Sequence, residues 1–262
     1  MPSWIVVPKP RPASAMKMFG VPHAGRGASL FYPWASRLPD WVELSAVQLP
    51  GRETRISERP LTRLEDILEG ILAEIAPQLD RPYVLFGHSM GGLICFELAR
   101  ALRRRGASLP IGLFVSGRRA PSLPNPDGII HTLADQDFID ELTRRYNGIP
   151  QIVREHPEMM RVLVPIMRSD LTVIETYSFV AQPPLGLPVF LYGGRDDVQM
   201  TPASIEAWRT ISAGDLTLRL FAGGHFYLQD DRERLLDVLA VDLAWLREQG
   251  GPGYPAPREP DP

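Results

Sequence analysis

Pro82–Ala101 reads PYVLFGHSMGGLICFELARA, and it organises the rest of the chain. Tyr83–Phe86 is apolar throughout, the pattern of a short buried strand. Gly87-His88-Ser89-Met90-Gly91 is a G-x-S-x-G nucleophile elbow, a sharp strand-to-helix turn that exposes the serine hydroxyl above a sheet. Glycines flank the serine because neighbouring backbone must approach it without meeting a Cβ. From Leu93 to Leu102 apolar residues recur at helical spacing, until Arg103–Arg105 and Gly106 close the helix. A serine at such a helix start sits where backbone N–H groups favour developing negative charge.

The remaining composition limits what can surround this turn. A chain of 262 residues fits one large α/β domain or two small ones, with an ample core. Net charge is −3, which creates no field to draw in nucleic acid or an anionic membrane. The basic residues are almost all arginine, only Lys9 and Lys17 being lysine, and they are scattered. Cys95 is the sole cysteine, so no internal disulfide is possible, and no residues show zinc-ligand spacing. Its place on the apolar side of the helix after Ser89 marks it as a buried structural thiol. The apolar run in MPSWIVVPKPRP is too short for a signal peptide, and no segment is long enough to span a bilayer. A cytoplasmic protein is expected.

Strand and helix patterns alternate on both sides of the elbow. Trp4–Val7 reads as an edge strand and Met16–Val21 as the next strand, leading into Pro22-His23-Ala24-Gly25-Arg26-Gly27. A helix is expected over 29–38, a strand over 42–49, and then a charged loop, Pro50–Arg55. Thr62-Arg63-Leu64-Glu65 reads as a capping box for an amphipathic helix through Leu79. Ile111–Val115 is a further buried strand. Residues 132–179 carry no strand signal and read as three helices, 136–146, 155–165 and 166–177, with Gly148-Ile149-Pro150 between the first two. Strands at 189–192 and 216–221, a helix at 202–211 and an amphipathic helix at 231–247 follow. The Gly/Pro-rich tail, 250–262, is expected to be disordered. The expected fold is α/β: a mostly parallel central sheet flanked by helices, the α/β-hydrolase arrangement, with a helical lid inserted at 132–179. Residues 1–249 form a single domain on this reading.

A serine needs a base, and the base an orienting carboxylate, supplied in this fold in the order Ser, Asp, His at strand C-termini. His225 lies in Gly223-Gly224-His225-Phe226 after a strand, the placement of the base. His88 occupies the elbow's variable position and should point away from the nucleophile; His23 borders a loop that it shapes. His131 and His156 read as solvated or structural. Asp197 stands three residues after Gly194 and is the expected acid, with Asp196 as fallback and Asp170 a weaker rival. The backbone N–H groups of Met90 and Ala24 are the expected oxyanion donors. The catalytic set is therefore Ser89, Asp197 and His225, with no metal.

Several stretches together resemble a known family: GHSMGG, the PHAG loop, LPGRETR, the run LTRRYNGIPQIVREHPEMMRVLVPIMRSDLTVIETY, and GGHFYL. They are similar to the type II thioesterases of polyketide and non-ribosomal peptide synthesis, over Trp4–Trp245. The resemblance implies hydrolysis of acyl groups from the phosphopantetheine arm of acyl or peptidyl carrier proteins, through an acyl-enzyme. It carries Ser89, Asp197 and His225 over as the triad, and Ala24 and Met90 as oxyanion donors. It implies no cofactor beyond the carrier's own arm, and carrier domains as partners; a monomer is the plain expectation, and the charge balance gives no nucleic-acid or membrane partner. Arg26 stands where the family usually has a second glycine, and either meets the pantetheine phosphate or faces solvent. Met159, Met160, Val164, Ile166 and Met167 are candidate walls of an acyl chamber, although core packing explains them as well. The alternatives are a small-molecule esterase or acyltransferase of the same fold, or a non-catalytic carrier-protein partner.

Overall fold

Alternation within each strand decides how the layers form. In Tyr83–His88 (β4), Tyr83 and Leu85 enter one apolar cluster while Val84 and Phe86 enter another. Gly112–Ser116 (β5) repeats the division, with Leu113 and Val115 on the first face and Phe114 on the second. Strands buried on both faces need helices on both. A computed structural model describes residues 3–125, 128–146 and 155–249 and shows that arrangement.

Among the described residues the sheet has seven strands, in the order β1-β3-β2-β4-β5-β6-β7. The other strands are Ile5–Val6 (β1), Met16–Val21 (β2), Val42–Val47 (β3), Val189–Gly194 (β6) and Leu216–Phe221 (β7). Only β1 runs antiparallel, on β3. Helices Leu64–Ile75 (α1) and Met90–Arg104 (α2) cover one face, and Arg232–Glu248 covers the other. The order of strands reverses between β2 and β4, so the loops after those two strands diverge and leave a crevice at their C-terminal ends.

Several local expectations differ from the structure. Residues 28–34 form a 3₁₀ helix rather than an α-helix over 29–38. Ala28, Phe31 and Trp34 are all buried at spacings of three, which matches the 3₁₀ repeat. Helix α1 begins without the capping box: Arg63 is its N-cap, and no side chain caps it. Burial of Leu64, Ile67 and Leu68 fixes the first turn one residue later than the box requires. The helix ends at Ile75 and tightens to 3₁₀ over Ala76–Gln78, where Pro77 has no N–H for the ladder.

Between β5 and β6 lie Asp135–Tyr146 (α3) and Pro157–Thr176 (α4). The expected break at Pro165 is absent, and α4 is one helix of 20 residues. Pro165 is exposed, so water can satisfy the carbonyl it leaves unbonded, while Val164, Met167 and Leu171 keep one buried face in register. The Gly148–Pro150 break and the 250–262 tail lie outside the described residues. Pro202–Ile211 (α5), Tyr227–Asp230 (α6) and Arg232–Glu248 (α7) complete the chain.

Candidate active site

Ser89 stands between β4 and α2 with φ 53° and ψ −112°, a conformation that costs a non-glycine residue about 1–3 kcal/mol. The surrounding contacts hold it there. Its N–H donates to Ser116 O (2.8 Å), and its carbonyl accepts the N–H groups of Gly92 and Leu93. A Cβ on Gly87 would lie 2.0 Å from Gly91 O, and one on Gly91 would lie 2.1 Å from Val21 O. Both glycines are therefore required by close backbone approach. Met90 opens α2, so its N–H has no acceptor within the helix and stands at the positive end of the dipole.

His225 follows β7, and its Nδ1 lies 2.9 Å from Asp197 Oδ2. Asp197 is buried after β6, and its other oxygen accepts the Gln199 N–H (3.0 Å). Asp196 is exposed. Ser89, His225, Ala24 and His23 line one cavity, whose apolar wall is Leu142, Met167, Leu171 and Ile174. Of the proposed chamber residues only Met167 lies on it. Met159 is about half exposed and lines a separate surface depression with Ile166. Val164 and Met160 pack in the apolar cluster between α3 and α4, because the face of α4 toward the cavity is defined by 167, 171 and 174.

Two buried histidines, His88 and His23, lie beside His225 and one another. The His88 ring centroid is 5.0 Å from that of His225, and its Nδ1 meets Ser116 Oγ at 2.8 Å. Ser116 Oγ in turn bonds the Tyr227 hydroxyl (2.6 Å). Burial, then the neighbouring His225 and His23, hold the His88 pKa well below its ordinary value. His23 is lowered by burial to about 3, and its Nδ1 lies 2.9 Å from Ala24 O. Both rings are consequently neutral at physiological pH, so neither opposes an imidazolium forming on His225. The Tyr227 hydroxyl and the Cys95 thiol are pushed up by burial, which keeps both protonated.

Arg52 and Asp170 are the residues whose setting the sequence did not disclose. Asp170 is no rival acid. It is fully buried on α4 in a bidentate pair with Arg52 (2.7 and 2.8 Å) and accepts the Gly25 N–H (2.7 Å). The Pro50–Arg55 segment, though rich in charge, buries both Arg52 and Arg55. Arg26, by contrast, is exposed. Among the described residues no cluster of three or more His, Cys, Asp or Glu side chains could hold a metal ion. No helix among them is long and apolar enough to cross a membrane.

Several known proteins are similar to this chain in sequence and fold. The family model of the thioesterase domain matches residues 16–242. Gramicidin S biosynthesis protein GrsT of Aneurinibacillus migulanus is 39% identical over 92% of this chain and 93% of its own. Thioesterase PikA5 of Streptomyces venezuelae is 38% identical over 93% of this chain and 86% of its own. Among solved structures, the type II thioesterase BorB from the borrelidin biosynthetic cluster superposes with a TM-score of 0.82 at 36% identity. That match covers 93% of this chain and 99% of BorB.

Proposed function

The chain belongs to the thioesterase family, as a type II thioesterase with the α/β-hydrolase fold, and from that premise we propose how its residues divide the reaction. The substrate is an acyl group held as a thioester on the phosphopantetheine arm of a carrier protein in polyketide or non-ribosomal peptide synthesis. Ser89 Oγ attacks the thioester carbonyl as His225 Nε2 takes its proton. Asp197 holds the Nδ1–H tautomer and stabilises the imidazolium. The N–H groups of Met90 and Ala24 receive the oxyanion, an interaction worth about 3–4 kcal/mol for a donor. The C–S bond then breaks, and His225 returns the proton to the departing thiol. Water attacks the acyl-Ser89 carbonyl by the same route, releasing the carboxylic acid and restoring the serine.

The observation that carries this assignment is the Asp197–His225 contact at 2.9 Å in a cavity shared with a strained Ser89. The thioester fits the site's chemistry, because a thiol with pKa about 8.5 leaves more easily than an alkoxide and asks less of His225 as an acid. Leu142, Met167, Leu171 and Ile174 give the acyl chain its apolar wall. On the same reading residues 1–249 are one domain and 132–179 its lid.

Rates on acyl-carrier protein, acyl-N-acetylcysteamine and a simple oxoester of the same acyl chain test the substrate class. The expected order of kcat/KM is carrier thioester, then small thioester, then oxoester, with at least tenfold between first and last. An oxoester turned over faster than the carrier thioester would point instead to a small-molecule esterase.

A further inference from the structure

The loop that carries Ala24 is fixed by a polar assembly outside the triad. Asp170 Oδ2 accepts from both Gly25 N–H (2.7 Å) and Arg52 Nη1 (2.7 Å), while Oδ1 accepts from Arg52 Nη2 (2.8 Å). The same guanidinium reaches Arg26 O (3.4 Å) through Nη1 and Pro50 O (3.3 Å) through Nε. Three segments remote in sequence thus meet at one carboxylate: the loop after β2, the loop after β3, and the inserted helix α4. Gln48 joins the first two again, its Oε1 accepting from Ala28 N–H and its Nε2 donating to Arg52 O, both at 2.8 Å.

These contacts define a peptide plane. The unit between Ala24 and Gly25 is held at its carbonyl by His23 Nδ1 (2.9 Å) and at its N–H by Asp170. Gly25 sits at φ +77°, and a Cβ there would strike Met167 Sδ at 2.2 Å, so α4 closes over the loop. The preceding carbonyl, His23 O, accepts Arg26 N–H (3.1 Å). The backbone on either side of the Ala24 N–H is therefore pinned, and Ala24 lines the cavity beside Ser89.

Stability alone does not account for such a pair. Burying an ion pair costs about as much in desolvation as the attraction returns, and apolar residues of similar volume commonly serve as well. What a bidentate, fully buried pair adds is position: a fork and a carboxylate accept one geometry.

We infer that Asp170, held by Arg52, is a positioning residue that sets the direction of the Ala24 N–H toward the oxyanion, so that the inserted helix completes the oxyanion hole. The inference rests on the reading of Ala24 as a donor. It also means that the Asp170 end of α4 is a fixed wall of the site, and any opening of the insertion must occur elsewhere along it.

The test is Asp170→Asn, a near-isosteric change that removes the charge holding Arg52, measured on an acyl-N-acetylcysteamine beside the wild type and Ser89→Ala. Inhibition by an acyl trifluoromethyl ketone, which forms a tetrahedral adduct with a serine, is read in parallel. A misdirected donor should lower kcat about 10- to 100-fold, leave KM within about threefold, and weaken the ketone by the same factor as kcat. A merely structural role would leave the kcat of folded enzyme and its ketone affinity unchanged, and that result overturns the inference. If Asp170→Asn fails to fold, Arg52→Lys keeps a cation beside the carboxylate but not the fork. It should lower kcat and ketone affinity together by about 5- to 20-fold, and an unchanged kcat overturns the inference here too. Should Ser89→Ala retain activity, the reading of the whole site fails. With Ser89→Ala inactive and Asp170→Asn at wild-type kcat, the positioning role alone is lost.

Discussion

The two proposed oxyanion donors are positioned by opposite means. Met90 N–H belongs to the first turn of α2, and everything that aims it lies within a few residues: the strained Ser89, and the glycines that let β4, β2 and α2 close together. Ala24 N–H belongs to a loop whose geometry is imposed from outside, by Asp170 at a separation of 145 residues and by Arg52 through it. A helix start needs only its own hydrogen bonds to be well formed. A loop has no such ladder, and a precise direction must be supplied by tertiary contacts.

The largest effect should come from breaking the local half. In Gly91→Ala the new Cβ meets Val21 O at 2.1 Å and Pro22 O at 2.8 Å, so backbone must move against backbone. Overpacking of this kind costs about 1–3 kcal/mol, and displacement of the Met90 donor should lower kcat by about 10²–10³. Gly92→Ala is the control. Its Cβ would meet side-chain carbons at 3.1 and 3.2 Å and Gly87 O at 3.3 Å, contacts that shifts of a few tenths of an ångström relieve, and kcat should stay within about threefold of wild type. Thioesterase rates and urea unfolding of the two variants check both expectations. Equal effects would mean that backbone crowding does not govern the elbow.

A smaller effect probes the remote half through acid. Folded His23 has a pKa near 3, against 6.5 for the ordinary imidazole. As pH falls below 6.5 the unfolded chain takes a proton that the folded ring refuses, so stability drops with falling pH until about 3, where the folded ring also protonates. Above 6.5 both states are neutral and nothing is lost. Between pH 7 and 5.5 this histidine accounts for about 1 kcal/mol of lost stability. His88, lowered in the same direction, adds to the slope in wild type and variant alike. Urea unfolding of wild type and His23→Gln at the two pH values should show that difference. Parallel pH slopes would place His23 in a solvated setting and leave the Ala24 carbonyl without its neutral donor.

The same contrast explains what the sequence could disclose. Strand, turn and helix around Ser89 were readable because each is specified by adjacent residues. The pairing of Asp197 with His225 is readable because the glycine-bearing loops that carry them end successive strands. The ambiguity between Asp196 and Asp197 needed coordinates, since adjacent residues on a loop differ only in which one turns inward. Pro165 misled for a physical reason: proline breaks a helix when the lost bond is buried, and here it faces solvent. Arg52 and Asp170 were visible as letters in conspicuous motifs. Nothing in periodicity or spacing joins residues 118 apart, so a segment dense in charge reads only as a charged loop where the fold has a buried pair. Of the chamber candidates only Met167 lines the cavity, because methionine content does not reveal which face of α4 is turned to it.

The central claim is that both chain regions converge on one nucleophile, and an acid-quenched reaction tests it directly. Enzyme mixed with excess acyl-N-acetylcysteamine, quenched during turnover and digested, should yield by mass spectrometry a single acylated peptide with the acyl group on Ser89. The adduct should vanish, together with turnover, in Ser89→Ala. An acyl group found on another residue, or wild-type turnover in Ser89→Ala, would contradict the account.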